Sequence, residues 1–298
     1  QTNDFSKIQA RFANKILLTS SNVAEVIQKR LLAKNEDGIL AMESLYHREQ
    51  NNFGTLFSFG DGSRTYKSFA DREHFINSYP FVPYQFELFQ SSIVALSEHN
   101  AFEGKHSSVG ERSMLGVFQH VAIHIENKEV GQLATFDLMF EGIQTALKST
   151  VQRSILAAER QLGKDSLELK VLKNLFLVKY VTEFKSTLRN LCVLLIDHFD
   201  QDLPKLRRQV EEALNVLEQQ TYIRRNGDLY EFLTDEEKDI EQEIKNTDVD
   251  SQVIADTMAK LVFERVIRNR KIRYDTNGQD YAFAQKMDDR LIGRDQEL

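Results

Sequence analysis

The most constraining feature of the chain is a run of three helical patterns followed by a hairpin signal. The helical patterns are LELKVLKNLFLVKYV, STLRNLCVLLIDHF and LPKLRRQVEEALNVLEQQ, and the hairpin pattern is TYIRR-NG-DLYEFL. An Asn-Gly pair between short apolar strands is a strong local signal for a two-stranded hairpin. Thr234, with Glu237 three residues later, predicts a further capped helix. This order is that of a winged helix, so we predict a winged-helix domain over residues 166–248.

Composition points to a mainly helical protein. The 298 residues include three prolines and no tryptophan, and Gly and Pro are too sparse for a barrel or a sandwich. The single cysteine, Cys192, lies in the apolar run LCVLLI, which predicts a small buried side chain and a reducing compartment. No apolar run reaches the roughly 18 residues of a membrane span. We therefore expect a soluble, cytoplasmic protein with no membrane partner.

Further helical patterns precede residue 166. They lie at 22–34, 39–51, 71–79, 84–99, 111–125 and 136–162. Asn22 and Glu25 have the spacing of a capping box, and Pro83 suits the first turn of a helix. Residues 53–69 fit either a hairpin around Gly60 or an irregular insertion rich in aromatic residues.

A polar loop at residues 100–110 leads into the helix that contains Arg112. A cation in the first turn of a helix is unfavourable with respect to the helix dipole. Its position is explained either by an acidic neighbour, Glu111 or Glu103, or by a bound phosphate. Arg11, just before Phe12, has a similar pair of explanations: a surface salt bridge, or contact with the nucleotide of a neighbouring subunit.

The motifs of ATP chemistry are absent from this chain. No phosphate-binding loop is present, although Gly104-Lys105-His106-Ser107 resembles its last residues. The segment CVLLIDHFD could be an apolar strand ending at a magnesium-binding Asp197, but its helical spacing favours a buried helix. His120 and His124 have the spacing of a zinc pair, yet Val121 stands where a zinc protease needs Glu, so core or interface histidines are favoured.

Two groups of basic residues are candidates for DNA binding. The first comprises Lys205, Arg207 and Arg208 on the third helix with Arg224 and Arg225 on the hairpin, and acidic neighbours offset its charge. The second, Arg268, Arg270, Lys271 and Arg273, belongs to the densest basic run in the chain and would serve non-specific phosphate binding better. A solvated face or a contact between subunits would equally explain this run.

Several long strings resemble the BrxC (PglY) family of P-loop proteins from BREX bacteriophage-exclusion systems. They are KIQARF at 7–12, TSSNVAEVIQKRLLAK at 19–34, SYPFVPYQFELFQ at 78–90 and LSEHNAFEGKHSSVGERSMLGVFQ at 96–119. The resemblance implies that the chain is an internal portion of a large AAA+-like ATPase. Residues 1–35 would end the AAA+ core and lead into its lid, 36–165 would form the helical lid with an insertion, and 249–298 would begin a further α/β segment.

The same resemblance implies roles for individual residues. Arg11 matches an arginine finger or sensor, and Arg112 matches the second sensor of the lid. ATP and Mg²⁺ are expected in the full-length protein and no cofactor in this chain, which we expect to be inactive alone. The expected partners are other BREX proteins, double-stranded DNA and further copies of the full-length protein. The alternative function is a protein-interaction scaffold without direct contact to DNA or nucleotide, which the net charge of -7 favours.

Overall fold

The computed structural model describes residues 20–60, 65–103, 111–247, 250–269, 271–287 and 290–292, with only the backbone for 20–22, 111–113, 290 and 292. The chain divides into two compact units, Gln1–Glu241 and Gln242–Leu298. Helices dominate the described residues, and the strands form small antiparallel pairs. This confirms the prediction of a mainly helical protein.

The first unit is built from eleven described helices and one hairpin before a final helix begins. The helices are α1 Ser20–Arg30, α2 Glu36–Glu49, α3 Phe53–Leu56, α4 Arg72–Ser78, α5 Pro83–Glu98, α6 Glu111–Ile125, α7 Leu138–Ile143, α8 Ser149–Leu162, α9 Leu167–Val178, α10 Leu188–Leu194 and α11 Leu203–Gln219. The strands β1 Ile223–Asn226 and β2 Leu229–Phe232 follow, and then α12 Asp235–Asn246.

Local signals set most helix starts. Asn35 caps α2, because its side chain accepts a hydrogen bond from the Gly38 amide at 2.9 Å. Asp71 caps α4 in the same way, and Pro83 occupies the first turn of α5, as predicted. The predicted cap at Asn22 is wrong, because α1 already begins at Ser20. The second helix begins at Glu36, three residues before the helical pattern predicted at 39–51.

The single helix predicted over 136–162 is wrong. The segment divides into α7, a 3₁₀ turn at Gln144–Ala146, and α8. Between them Leu147 is extended and pairs with Phe102, while the Lys148 amide donates to the Ala101 carbonyl at 2.8 Å. This pairing with a distant segment takes the backbone out of the helix.

Aromatic packing shapes residues 53–69. The described part of this segment, 53–60 and 65–69, contains the short helix α3 and no strand, so the hairpin alternative is wrong and the irregular insertion is correct. The Phe53 ring lies 4.9 Å from Phe69, 5.4 Å from Phe75 and 5.5 Å from Phe199. The insertion therefore packs into an aromatic cluster that includes Phe199, a residue distant in sequence.

Helix α9 lies at the centre of the first unit. Nine of its twelve residues are buried, and it packs against α5, α7, α8, α10, α11 and β2. A helix that is apolar on all sides belongs in a protein interior. Through these contacts α9 connects the preceding helices α5, α7 and α8 with the following elements α10, α11 and β2.

The three helices and the hairpin occur in the predicted order. Strands β1 and β2 pair from Ile223 with Phe232 to Asn226 with Leu229, so the loop is Gly227-Asp228, with Gly227 at φ +61°. A positive φ suits glycine, which has no Cβ to clash. Helix α10 ends at Leu194, so the buried-helix interpretation of CVLLIDHFD is confirmed up to that residue. Burial raises the pKa of Cys192 to about 11, consistent with its predicted packing role.

The second unit carries α13 Ser251–Lys260, a π-helical turn Leu261–Ile267, and the strands β3 Lys271–Tyr274, β4 Gln279–Ala282, β5 Gln285–Met287 and β6 Arg290–Ile292. The pairs are β3 with β4 and β5 with β6, and the Asn277-Gly278 dipeptide lies in the turn between β3 and β4. Of the described residues in the basic run, Lys271–Tyr274 form a strand and Leu261–Ile267 belong to the π-helical turn. Within the described ranges, no helix combines the length and apolar character needed to cross a bilayer.

One acidic side chain is buried in the core of the first unit. Asp137 is 4% exposed, and its Oδ1 has no hydrogen-bond partner among the described residues. Burial raises the pKa of this carboxyl, although Thr135 and the charges of Lys170 and Lys173 oppose the shift. Desolvation of the ionised form is the dominant effect.

We predict that Asp137→Asn stabilises the protein more at higher pH. A carboxyl whose pKa is raised on folding contributes stability below its unfolded pKa and loses it as pH rises through the folded pKa. The substitution removes this loss. The free energy of unfolding of Asp137→Asn should therefore exceed that of the unaltered protein by about 1 kcal/mol or more at about pH 8, and by less at about pH 5. Urea unfolding followed by circular dichroism measures both values. Equal differences at the two pH values would contradict the assignment.

Candidate nucleic-acid interface

Helix α11 presents a basic surface near its start. Its apolar residues Leu206, Val210 and Leu214 are buried, which leaves the side chains between them in solvent. Asp202 caps the helix by accepting from the Lys205 amide at 2.9 Å. The three predicted DNA-binding residues of this helix, Lys205, Arg207 and Arg208, are all exposed.

The charges of α11 are separated along its axis. The three basic residues lie in the first two turns, whereas the acidic residues Glu211, Glu212 and Glu218 lie in the second half. The near balance of charge over the whole helix therefore conceals a basic half and an acidic half. A polyanion would be attracted to the first and repelled by the second.

The two hairpin arginines lie on opposite faces of β1. Arg224 Nη2 is 2.8 Å from Glu231 Oε2, and hydrogen bonding to Glu231, together with its charge and those of Glu237 and Glu241, raises the pKa of Arg224. Arg225 donates to the Gly227 carbonyl at 2.9 Å and lies over the Tyr230 ring at 5.5 Å. Adjacent strand residues point to opposite faces, which explains the separation.

The hairpin arginines do not form one basic patch with the first turns of α11. Arg224 is held by Glu231 of β2, and the charges of Glu237 and Glu241 on α12 also act on it. Arg225 shares the Tyr230 face with Glu211 and Glu218, whose charges act on the Tyr230 hydroxyl. Lys205, Arg207 and Arg208 are thus the candidates whose exposed charges lie together on one element.

A lysine that the sequence analysis did not identify holds the hairpin in place. Lys179 follows α9, and its side chain is 9% exposed. Its Nζ donates to the Phe232 carbonyl at 2.6 Å and to Glu237 Oε2 at 2.7 Å. Glu237 also accepts from the Thr234 amide, and the Thr234 hydroxyl accepts from the Glu237 amide, which confirms the predicted capping box. One buried cation therefore links α9, β2 and α12.

The other side of the hairpin is held by the segment before α10. The Tyr230 amide donates to the Ser186 carbonyl at 3.0 Å, and the Ser186 hydroxyl donates to the Tyr230 carbonyl at 2.6 Å. Thr187 and Leu229 form an isolated bridge. The hairpin is thus also bonded to the segment between the first two helices, through an isolated bridge.

The residues predicted to sense nucleotide are only partly described. Arg112 lies in the first turn of α6, as predicted, but its side chain and residues 104–110 lie outside the described part of the chain. Arg11 lies outside it as well. Glu103, one proposed partner of Arg112, accepts a hydrogen bond from the Ser149 amide at 3.1 Å and so contributes to the start of α8.

The candidate metal ligands do not cluster in the part of the chain that the structure describes. Asp197, the candidate magnesium ligand, follows the end of α10 and contacts the neighbouring His198. His120 and His124 are both exposed, so the core alternative for them is wrong. No group of three potential metal ligands occurs in the ranges that the structure describes.

The second basic group lies around the start of β3. Arg268 has φ +57° and donates to the Arg265 carbonyl at 2.8 Å. Lys271 and Arg273 are exposed and share one face of β3, since they are two residues apart. Arg270 lies outside the described residues.

A family model described as the fourth domain of the BREX ATP-binding protein BrxC, with a six-stranded beta sheet, matches residues 247–298. The chain is therefore similar to a component of BREX systems over these residues. The resemblance seen at residues 7–119 and this independent match agree, and the chain is BrxC-like. No solved structure is significantly similar to it.

We predict that Glu237→Gln weakens the joint made by Lys179. Burial alone would raise the pKa of Glu237, but hydrogen bonds from Lys179 and Thr234 outweigh it and hold that pKa below its ordinary value. Such a group stabilises the fold above its unfolded pKa and loses this contribution as pH falls through the folded pKa. We expect Glu237→Gln to lower the free energy of unfolding by about 1 kcal/mol at about pH 7, and by less as the pH approaches about 4.

Urea unfolding of Glu237→Gln at the two pH values measures this loss. Glu236→Gln is the matched control, because Glu236 is exposed and directly precedes Glu237. An equal loss in both variants would show that the ion pair with Lys179 is not the cause.

Proposed function

We propose that the chain is the lid, winged-helix and following segment of a BrxC-like ATPase, and that the winged helix couples nucleotide state to DNA. Residues 36–165 would form the lid and residues 166–248 the winged helix. The match at 247–298 supports membership in a BREX system, and other BREX proteins are the expected partners. ATP and Mg²⁺ would bind to parts of the full-length protein that this chain does not supply.

The observation that carries the proposal is the attachment of the hairpin to the helices before it. Three consecutive helices, α9 to α11, precede the hairpin. The Ser186–Thr187 segment between α9 and α10 pairs with β2. In a winged helix the hairpin must be held rigidly against the helices, and here the Ser186–Thr187 segment and Lys179 fix it from two sides.

The charge distribution on α11 supports DNA as the ligand of this segment. Its first two turns carry three exposed basic residues without an ion pair among the described residues. Helices that enter the major groove commonly use their N-terminal residues for contact. Phosphate neutralisation by Lys and Arg supplies most of the affinity of such interfaces.

We predict that Lys205→Gln, Arg207→Gln and Arg208→Gln together weaken DNA binding. If each side chain neutralises one phosphate, the slope of log affinity against log salt falls in magnitude by about 2.7. Fluorescence anisotropy with a duplex at several salt concentrations measures this slope. Arg224→Gln is the control, because Arg224 is already paired with Glu231 and should leave the slope unchanged.

An unchanged slope in the triple variant would reject the role of α11. If Arg224→Gln also reduces the slope of log affinity against log salt, the DNA contact includes the hairpin. Circular dichroism of each variant confirms that the helices are retained.

Arg112 is the proposed nucleotide sensor. Its place in the first turn of α6 supports this role. A positive charge there is repelled by the positive end of the helix dipole, so a bound phosphate would compensate it. Arg112 and the polar loop before it both belong to the string at 96–119 that carries the family resemblance. In the full-length protein, closure of the lid would bring this guanidinium to the phosphates.

We predict that Arg112→Ala in the full-length protein lowers ATP turnover at least about tenfold, or about 1.4 kcal/mol in the activation barrier. Arg72→Ala is the control, since Arg72 forms an exposed pair with Glu43 at 3.1 Å. Steady-state phosphate release measures both variants. Turnover equal to that of the unaltered protein would reject the sensor role.

A protein-interaction scaffold is the second candidate function. It is favoured by the net charge of -7 and by the carboxylates that surround Arg224. In that case the chain would bind other subunits through the hairpin and the basic run around Arg268, Lys271 and Arg273. DNA binding that is absent, or insensitive to salt, would support this alternative over the first.

A further inference from the structure

An aromatic pair lies at the edge of a cleft in the first unit. The rings of His99, which follows α5, and Tyr180, which follows α9, are parallel, with centroids 3.8 Å apart and an interplanar angle of 4°. Contact of His99 Nδ1 with the Ala95 carbonyl at 2.9 Å fixes the orientation of the imidazole. His99 is exposed, so the ring face turned away from Tyr180 is open to solvent. A further flat ring can stack there.

The cleft beside this pair is large enough for a nucleobase. Its volume is about 450 Å³, which lies in the range of small-molecule sites. Phe176 and Phe232 form an apolar part of its lining, with their ring centroids 5.4 Å apart. An apolar floor beside an open aromatic face suits a flat ring better than a charged group.

The two sides of the cleft differ in charge. Lys148 and Arg153 line it from the start of α8, whereas Asp235 and Glu236 line it from the start of α12. Asp235 has a cationic neighbour, since its Oδ1 is 3.3 Å from Lys238 Nζ. Lys148 and Arg153 are exposed and form no ion pair among the described residues. A polyanion is therefore attracted to the α8 side and repelled from the α12 side.

The basic side continues along the exposed face of α8. Arg153, Ala157 and Arg160 share this face, because they are spaced by four and three residues, and all three are exposed. The acidic residue of this helix, Glu159, is half-buried and lies off the face. From Lys148 to Arg160 the face extends over roughly 18 Å. It is a local region of positive charge in a chain whose net charge is -7.

We propose that α8 and the His99–Tyr180 pair form a binding site for single-stranded nucleic acid. The phosphates of the strand follow Lys148, Arg153 and Arg160, and one base enters the cleft and stacks on the open face of His99. Proteins that bind single strands without sequence preference combine a basic track with aromatic surfaces in this way. A duplex cannot use the cleft, because its bases are stacked inside the double helix.

The site is separate from the one proposed for duplex DNA. It uses none of the basic residues of α11, and it lies partly on α8, within the segment proposed as the lid. The two proposals can therefore succeed or fail independently.

The salt dependence of binding tests the basic track. Fluorescence anisotropy is measured with labelled deoxythymidine and uridine oligomers of about ten nucleotides, which distinguish DNA from RNA as the strand. Lys148→Gln, Arg153→Gln and Arg160→Gln together should lower the magnitude of the slope of log affinity against log salt by about 2.1, since each neutralised phosphate of a single strand contributes about 0.7. The triple Gln variant of α11 is the matched control and should keep the slope for single strands.

Two outcomes of this titration would overturn the proposal outright. One is that the unaltered chain binds neither oligomer, and the other is that the α8 variant keeps its slope. A slope reduced in the α11 variant instead would also overturn it, because the strand would then lie on α11. Circular dichroism of each variant shows whether the helices are retained.

Tryptophan fluorescence tests the stacking and leaves every cation in place. The chain contains no tryptophan, so His99→Trp introduces a single indole that keeps an aromatic surface on Tyr180. Val94→Trp is the matched control, because Val94 is 51% exposed and precedes position 99 by five residues, on a different side of α5.

Binding of the oligomer should quench the indole emission of His99→Trp, because a base stacks on it, and leave that of Val94→Trp unchanged. His99→Ala should lower the affinity for the oligomer at least about fivefold. Equal emission of His99→Trp with and without bound oligomer, or equal quenching at both positions, would show that no base enters the cleft and would reject the site.

Discussion

The burial of helix Leu167–Val178 is the constraint on which the rest of the first unit depends. Nine of its residues are buried, and six other elements pack around it. Its apolar side chains supply the hydrophobic driving force that assembles the surrounding helices. Asn174 is also fully buried there, with neither amide atom bonded to a described residue. Such a group reduces the stability that the packing provides.

Elements set by local chemistry were predictable from the sequence. Helices α4, α5 and α6, the hairpin turn at Gly227 and the Thr234–Glu237 capping box all follow from residues within one turn of each other. Features set by distant residues were not. The helix break at Leu147 depends on pairing with Phe102, and the insertion after Phe53 depends on Phe199. No local pattern contains that information.

In the candidate interface, too, some features were predictable from the local sequence and others depend on distant residues. Exposure of Lys205, Arg207 and Arg208 follows from the helical period of α11, which the sequence displays. The separation of Arg224 from Arg225 follows from the strand period, but the carboxylates around Arg224 become apparent only when α12 is placed. Lys179 was missed because a lysine after an apolar helix resembles an ordinary solvated residue. Only its contacts with Phe232 and Glu237 identify its structural role.

Helix α12 buries none of its residues, so polar contacts hold its first turn to the hairpin and the neighbouring helices. These are the bonds of Lys179 with Glu237 and of Lys238 with the Ser154 hydroxyl. Regions with few apolar contacts open at a lower free energy than the global unfolding of a protein. Detachment of this helix can therefore precede unfolding of the aromatic core, as a separate cooperative step that responds to salt and acid.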